Sequence, residues 1–146
     1  MSARPTYETD ETSDAQSRVL DDVAVAWRCE LVPTPKFYEV DAALMRGREV
    51  MAFAEVKCRQ VRLLTYPTLI LSVHKWLYLR ALGQRLGCRA FLVVSYVEDG
   101  IFWMDVGRAK TPKVVFGGRT DRGDAQDIEP CADIPVEWLT PLRRGG

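Results

Sequence analysis

The sequence predicts a single α/β domain in which a mixed β-sheet is flanked by helices, in the order helix, three strands, helix, two strands. Three observations lead there. Apolar residues recur at helical spacing in two separate stretches. Two pairs of apolar runs, each joined by a turn that contains glycine, read as hairpins. Finally, 47% of the 146 residues are hydrophobic, enough for one domain with a real core and too many for a disordered chain.

Taken in order, residues 1–12 are polar and acidic and read as an arm. Ser13 with Gln16 three positions later suits a capping box. Leu20, Val23, Ala24 and Trp27 then define a first helix to about Cys29. Glu30 to Thr34 is short and extended, stopped by Pro33 and Pro35. Phe37 to Met45 reads as a strand, Arg46-Gly47-Arg48 as a turn, and Val50 to Cys58 as a second, apolar strand. A loop follows from Arg59 to Leu71, punctuated by Tyr66-Pro67-Thr68. Ser72 is a good N-cap for a second helix over Val73 to Leu86, which Gly87 stops. Arg89 to Val97 is a strongly apolar strand, and Glu98-Asp99-Gly100 turns it back into Ile101 to Val106. Past Gly107 the signals weaken. Val114-Val115-Phe116 suggests a short strand, Gly117 to Asp127 an exposed loop, and Asp133 to Leu142 a closing segment with Trp138 and Leu139 packed back. The domain therefore spans 13–142, with 143–146 as a tail. Trp27, Trp76, Trp103 and Trp138 read as core.

Composition removes several classes of function. A single histidine, His74, rules out a histidine-rich metal site, and no Gly-x-Ser-x-Gly elbow or phosphate-cradling glycine loop is present. The four cysteines have no Cys-x-x-Cys spacing, so a zinc site is not indicated. Reduced thiols are expected, with Cys29, Cys58 and Cys88 as small buried groups. No apolar run approaches the roughly 18 residues that span a bilayer. A cytoplasmic protein, in a bacterial cell or a phage-infected host, is expected. Net charge is zero but unevenly spread. Residues 45–97 hold 9 basic and 2 acidic side chains, whereas 1–44 hold 4 and 9. A basic middle third can meet a polyanion although the whole chain is neutral.

The same third contains the candidate site. Strand alternation puts Met51, Phe53, Glu55 and Lys57 on one face and Val50, Ala52, Ala54 and Val56 on the other. If the hairpin sets Asp41 opposite, two carboxylates and an ammonium converge. Charges inside an apolar strand are costly, and strand propensity does not ask for them. A bare Glu-x-Lys is more often a structural ion pair, but here an Asp-bearing strand, a tight turn and a helix on either side accompany it. Asp41, Glu55 and the Val56 carbonyl offer oxygen ligands, which suit Mg²⁺ or Mn²⁺ better than zinc. Lys57 would hold or help deprotonate a water. Lys75, in the first turn of the second helix on the stripe of Leu79, Leu82 and Leu86, should point towards this site, where Glu55 or a phosphate would receive it. Arg46, Arg48, Arg59 and Arg62 flank the site in turns and loops and suit phosphate contacts. Tyr66 could stack on a base.

The segments Tyr38-Glu39-Val40-Asp41-Ala42 and Ala54-Glu55-Val56-Lys57-Cys58-Arg59 together resemble the PD-(D/E)XK nuclease superfamily, over roughly residues 13–106. The resemblance implies a restriction-endonuclease-like core, Asp41 and Glu55 as metal ligands, and Lys57 as the catalytic lysine. Val40 stands where the family name has proline. Many members carry a first-helix glutamate that approaches the metal. Here that position holds Gln16, with Asp14 nearby, and its amide could hydrogen-bond a metal-bound water. The implied function is a magnesium-dependent deoxyribonuclease, structure-selective or weakly sequence-specific, such as a phage endonuclease or a resolvase-like enzyme. The alternative is a catalytically impaired DNA- or protein-binding module on the same fold. Small nucleases of this kind often form homodimers, and the apolar hairpin Val93 to Trp103 is the expected interface.

Overall fold

The computed structural model describes residues 10–34, 40–118 and 128–143. The expectations for residues 1–9, Phe37 to Glu39, Arg119 to Asp127 and 144–146 lie outside the described residues. Helix α1 runs over Asp10–Trp27. It begins before Ser13, so Ser13 is not the cap that a capping box requires. Arg28 ends the helix in the left-handed region, φ 54°.

Four strands follow in the first half: β1 (Glu30–Pro33), β2 (Ala42–Arg46), β3 (Glu49–Cys58) and β4 (Thr68–Ser72). After α2 (Val73–Leu86) come β5 (Arg89–Tyr96), β6 (Gly100–Asp105), β7 (Lys113–Gly118), β8 (Ile128–Pro135) and the two-residue β9 (Thr140–Pro141). The main sheet has the order β1-β2-β3-β5-β6-β9. All its pairs are antiparallel except β3 and β5, which are parallel and joined by a crossover through β4 and α2. A parallel pair needs such a crossover, because a tight turn can join only antiparallel neighbours.

Strand alternation sorts the side chains into two cores. On one face Val19, Leu20 and Val23 of α1 pack on Ala42, Leu44, Ala52, Ala54, Val56 and Val93. The small alanines let the helix come close. On the other face Leu92, Val94 and Met104 meet Trp76 and Leu79 of α2, together with Leu69, Leu71, Ala132 and Ile134. Those last four belong to a second sheet, of order β4-β8-β7. Burying a side chain such as Leu69 or Ile134 contributes about 1.5–3 kcal/mol. Trp27, Phe91 and Trp103 form an aromatic cluster with ring centroids 4.6, 5.5 and 5.8 Å apart. Trp76 is buried, and Trp138 packs partly buried against the core.

Several expectations are corrected. The segment read as a loop over Arg59 to Leu71 ends in β4. Its partner is β8, far along the chain, so no neighbouring sequence announces the pairing. Within the described residues Val40 and Asp41 form a bend rather than part of the strand, which begins at Ala42. The hairpin Val93 to Trp103 is not a free interface. It lies inside the main sheet between β3 and β9, and Val93 and Val94 are fully buried. All four cysteines are free thiols, but it is Cys131 that is buried, while Cys29, Cys58 and Cys88 are half-buried. At the outer edge of the small sheet, β7 carries Val114 and Phe116 on the face that elsewhere forms the core, yet Phe116 is 80% exposed. Among the described residues, no helix is long and apolar enough to cross a membrane.

Candidate active site

The β2–β3 ladder places the acids. Ala42 pairs with Ala54, and the Asp41 N–H donates to the Ala54 carbonyl at 3.0 Å. Asp41 therefore stands beside Glu55 at the end of the ladder. The Val56 N–H donates to Asp41 Oδ2 at 2.7 Å and fixes the carboxylate. The two acid side chains lie close enough to share a hydrogen bond when one of them is protonated.

Glu55 is 3% exposed. Burial, reinforced by the bond to Asp41, raises its carboxyl to about 8, against the opposing pull of Lys75. Two acids crowded in an apolar strand cannot both ionise cheaply without a nearby cation. Lys75 supplies part of that charge: its Nζ donates to Glu55 Oε2 at 2.9 Å. The helix is set for this by Ser72, whose Oγ accepts from the Lys75 N–H at 3.2 Å. Lys75 is 44% exposed, so solvent weakens the pair, and it does not cancel the burial of Glu55.

Lys57 lies two positions along β3 on the same face. Its Nζ donates to the Ile70 carbonyl of β4 at 2.7 Å. Burial, with Arg59 and Lys75 nearby, lowers its ammonium to about 8. A half-neutral amine at mildly alkaline pH is suited to accept a proton.

Asp41, Glu55, Lys57 and Lys75 thus come together, with Val56 between the two β3 groups. Gln16 is half-exposed on the first turns of α1. Among the described residues, no hydrogen bond joins it to the acids or to Lys57. Arg59 ends β3 beside Lys57, its N–H bonded to the Ser95 carbonyl at 2.8 Å. Arg46 and Arg48 do not flank the site. They sit in the β2–β3 turn, at the opposite end of β3, about 20 Å from Glu55 at roughly 3.3 Å per residue. There Arg46 Nη2 donates to the Trp27 carbonyl at 2.8 Å, closing the end of α1. Arg62 is committed to Asp99 at 3.0 Å, with Glu98 at 3.7 Å, and holds the loop onto the β5–β6 turn. The guanidinium beside it holds the Asp99 carboxyl below its usual range. Tyr66 is exposed after a short 3₁₀ turn. Sequence reasoning missed the Ile70 carbonyl. Its only local sign was the alternation that points Leu69 and Leu71 inward.

The donors fit a hard divalent cation. Two carboxylates lie in contact, and the one proton-biased by burial would be relieved by positive charge. Mg²⁺ is commonly held by one or two carboxylates with water completing its shell. Among the described residues, no third acidic, cysteine or histidine side chain joins them.

A mixed sheet with a helix-spanned parallel pair, an aspartate before its second strand and Glu-x-Lys at the end of its third defines a restriction-endonuclease-like nuclease. The profile of the phage putative PDDEXK endonuclease family matches residues 2–142, and the chain belongs to this family of nucleases. Among solved structures it is similar to Hjc, a Holliday junction resolvase from Archaeoglobus fulgidus, an archaeal hyperthermophile. The TM-score is 0.56 at 17% identity, covering 88% of this chain and 92% of that one. This likeness establishes the shared fold. No curated protein matches the chain significantly.

Proposed function

We propose that the chain is a divalent-metal-dependent deoxyribonuclease, structure-selective or weakly sequence-specific, whose centre is Asp41, Glu55 and Lys57. The carrying observation is the convergence of Asp41 and Glu55 with the ammoniums of Lys57 and Lys75 on one face of the sheet. The two carboxylates and the Val56 carbonyl are the groups that would hold Mg²⁺ or Mn²⁺. Such an ion, when bound, acidifies water and stabilises charge on a phosphate. Water attacks phosphorus, a new P–O bond forms, and the bond to the leaving oxygen breaks. Lys57 Nζ receives the proton that the water loses, and its bond to Ile70 holds the amine in place. Lys75 keeps Glu55 towards its ionised form. Arg59 is positioned to touch a backbone phosphate beside Lys57.

The test is cleavage of plasmid and branched DNA in Mg²⁺ and in chelator, for wild type and Lys57→Ala. Wild type should cut only with the metal, and the variant should be severely impaired. Equal cleavage by both would remove the mechanism. Tight DNA binding without cleavage under any divalent ion would favour a binding module instead.

A further inference from the structure

A second concavity adjoins this centre on the other side of β3. It lies between the first half of α1 and the C-terminal ends of β3 and β5, with a volume of about 510 Å³. Its wall carries two guanidiniums, Arg18 from α1 and Arg59 from the end of β3, against one carboxylate, Asp22. Gln60 and Ser95 add neutral donors and acceptors, and Val19 and Ile101 give it an apolar side. The cleft and the acid–lysine cluster meet at the C-terminal end of β3. Arg59 is two residues from Lys57 and its charge acts on that amine. Cys58, also on the wall, feels both Asp41 and Arg18.

These properties describe a ligand. A surplus of positive charge calls for an anion, and Arg forks suit phosphate oxygens. An apolar wall beside amide and hydroxyl groups suits a base, whose edges carry donors and acceptors on a flat hydrophobic ring. The volume is that of a small-molecule site, about 300–1,000 Å³. A duplex, whose major groove alone is about 12 Å wide, cannot enter it.

We propose that this cleft holds one unpaired nucleotide flanking the scissile phosphate, so that the enzyme selects DNA whose strand leaves the duplex at the cut. The inference rests on the nuclease reading above and adds to it a substrate class and a recognition site. Arg18 is the new contact and takes the phosphate of the departing nucleotide, while Gln60 and Ser95 meet its base.

The experiment compares three substrates with Mg²⁺: a splayed-arm DNA, a fully paired duplex of the same sequence, and bis(p-nitrophenyl) phosphate, which reports the catalytic centre alone. Wild type should favour the splayed arm by about tenfold or more in kcat/KM, the scale of one charge-assisted contact. Arg18→Ala, at an exposed helix position, should lose most of that preference and leave the other two rates unchanged. Ser95→Leu, which fills the cleft, should do the same if thermal unfolding shows it folded. Equal wild-type rates on paired and splayed DNA would overturn the proposal. So would an equal loss on all three substrates in Arg18→Ala. If wild type hydrolyses none of them, the nuclease reading fails by itself. The cleft is then judged by fluorescence anisotropy in Ca²⁺. About tenfold tighter binding of the splayed arm, lost in Arg18→Ala, supports it, and equal affinities refute it.

Discussion

The acids and the lysines of the catalytic cluster are held by different kinds of structure. Asp41 and Glu55 are neighbours on one hairpin ladder, tied by a main-chain bond from the Asp41 N–H to the Ala54 carbonyl and by the Val56 N–H, which donates to the Asp41 carboxylate. The lysines depend on distant parts of the chain. Lys57 is moored to Ile70 in β4, and β4 is a strand because β8 pairs with it. Lys75 comes from α2, which packs over the same small sheet. On the proposed reading, a cation-binding half built locally is completed by a proton-transfer half built at long range, and the two should be separable.

The largest effects test that separation directly. Asp41→Asn, Glu55→Gln and Lys57→Ala should each lower Mg²⁺-dependent plasmid cleavage by about 10²–10⁴-fold. They should differ in a second measurement. Divalent cation should raise the melting temperature of wild type and of Lys57→Ala, by preferential binding to the folded state, but not that of the acid variants. A cation-induced rise that survives in Asp41→Asn would refute the assignment of the acids.

Next in size is the scaffold of the lysines. Leu69→Ala or Ile134→Ala removes a fully buried side chain and should cost about 2–5 kcal/mol of stability, read from denaturant unfolding. Cleavage should fall because the Ile70 carbonyl is displaced, while the cation-induced melting increment persists. Loss of both together would show that the two halves are one unit.

A smaller effect is expected for Lys75→Met, about a tenfold loss at pH 7, since its ammonium is partly solvated. Lys75 opposes the upward shift of Glu55, so its removal raises that pKa further above about 8. The acid limb of the pH–rate profile should move to higher pH. An unmoved limb would deny Lys75 its effect on Glu55.

A separate effect, read without the cation, is on stability in chelator. Glu55 titrates near 8 in the folded protein and near 4.5 in the unfolded one. Between those values the native state binds more proton, so stability falls as pH rises. Lys57 titrates near 8 folded and 10.5 unfolded. There the native state binds less proton, and stability rises again with pH. The melting temperature should pass through a minimum near pH 8, flattened in the Glu55→Gln, Lys57→Met double variant. A monotonic profile in wild type would contradict both shifts.

The same division decides what the sequence could reveal. The acid pair and Lys57 were legible because period-2 alternation and a glycine turn, with Gly47 at φ +64°, fix a local hairpin. Lys75 was legible because Ser72 and Gly87 bracket its helix and set its stripe. The small sheet was not, since β4 and β8 are remote in sequence and stabilised by each other. Arg46 and Arg48 were misplaced for a related reason. A turn that joins two strands is near both in sequence, but it sits a full strand length from the residues at the far end. Arg62 looked available because nothing in its own segment shows Asp99 waiting across the loop.

The small sheet that moors Lys57 is also left unfinished at β7, where main-chain groups on the outer edge and the bare ring of Phe116 meet water within the described part of the chain. Such a margin is a template on which another strand can grow. Crowded preparations should therefore tend to oligomerise through this border, and a lysine substituted for Phe116 should keep them monodisperse in light scattering. Because β8 lies between that border and Ile70, a neighbour that annealed there would bear mechanically on the amine of Lys57, the proposed proton acceptor.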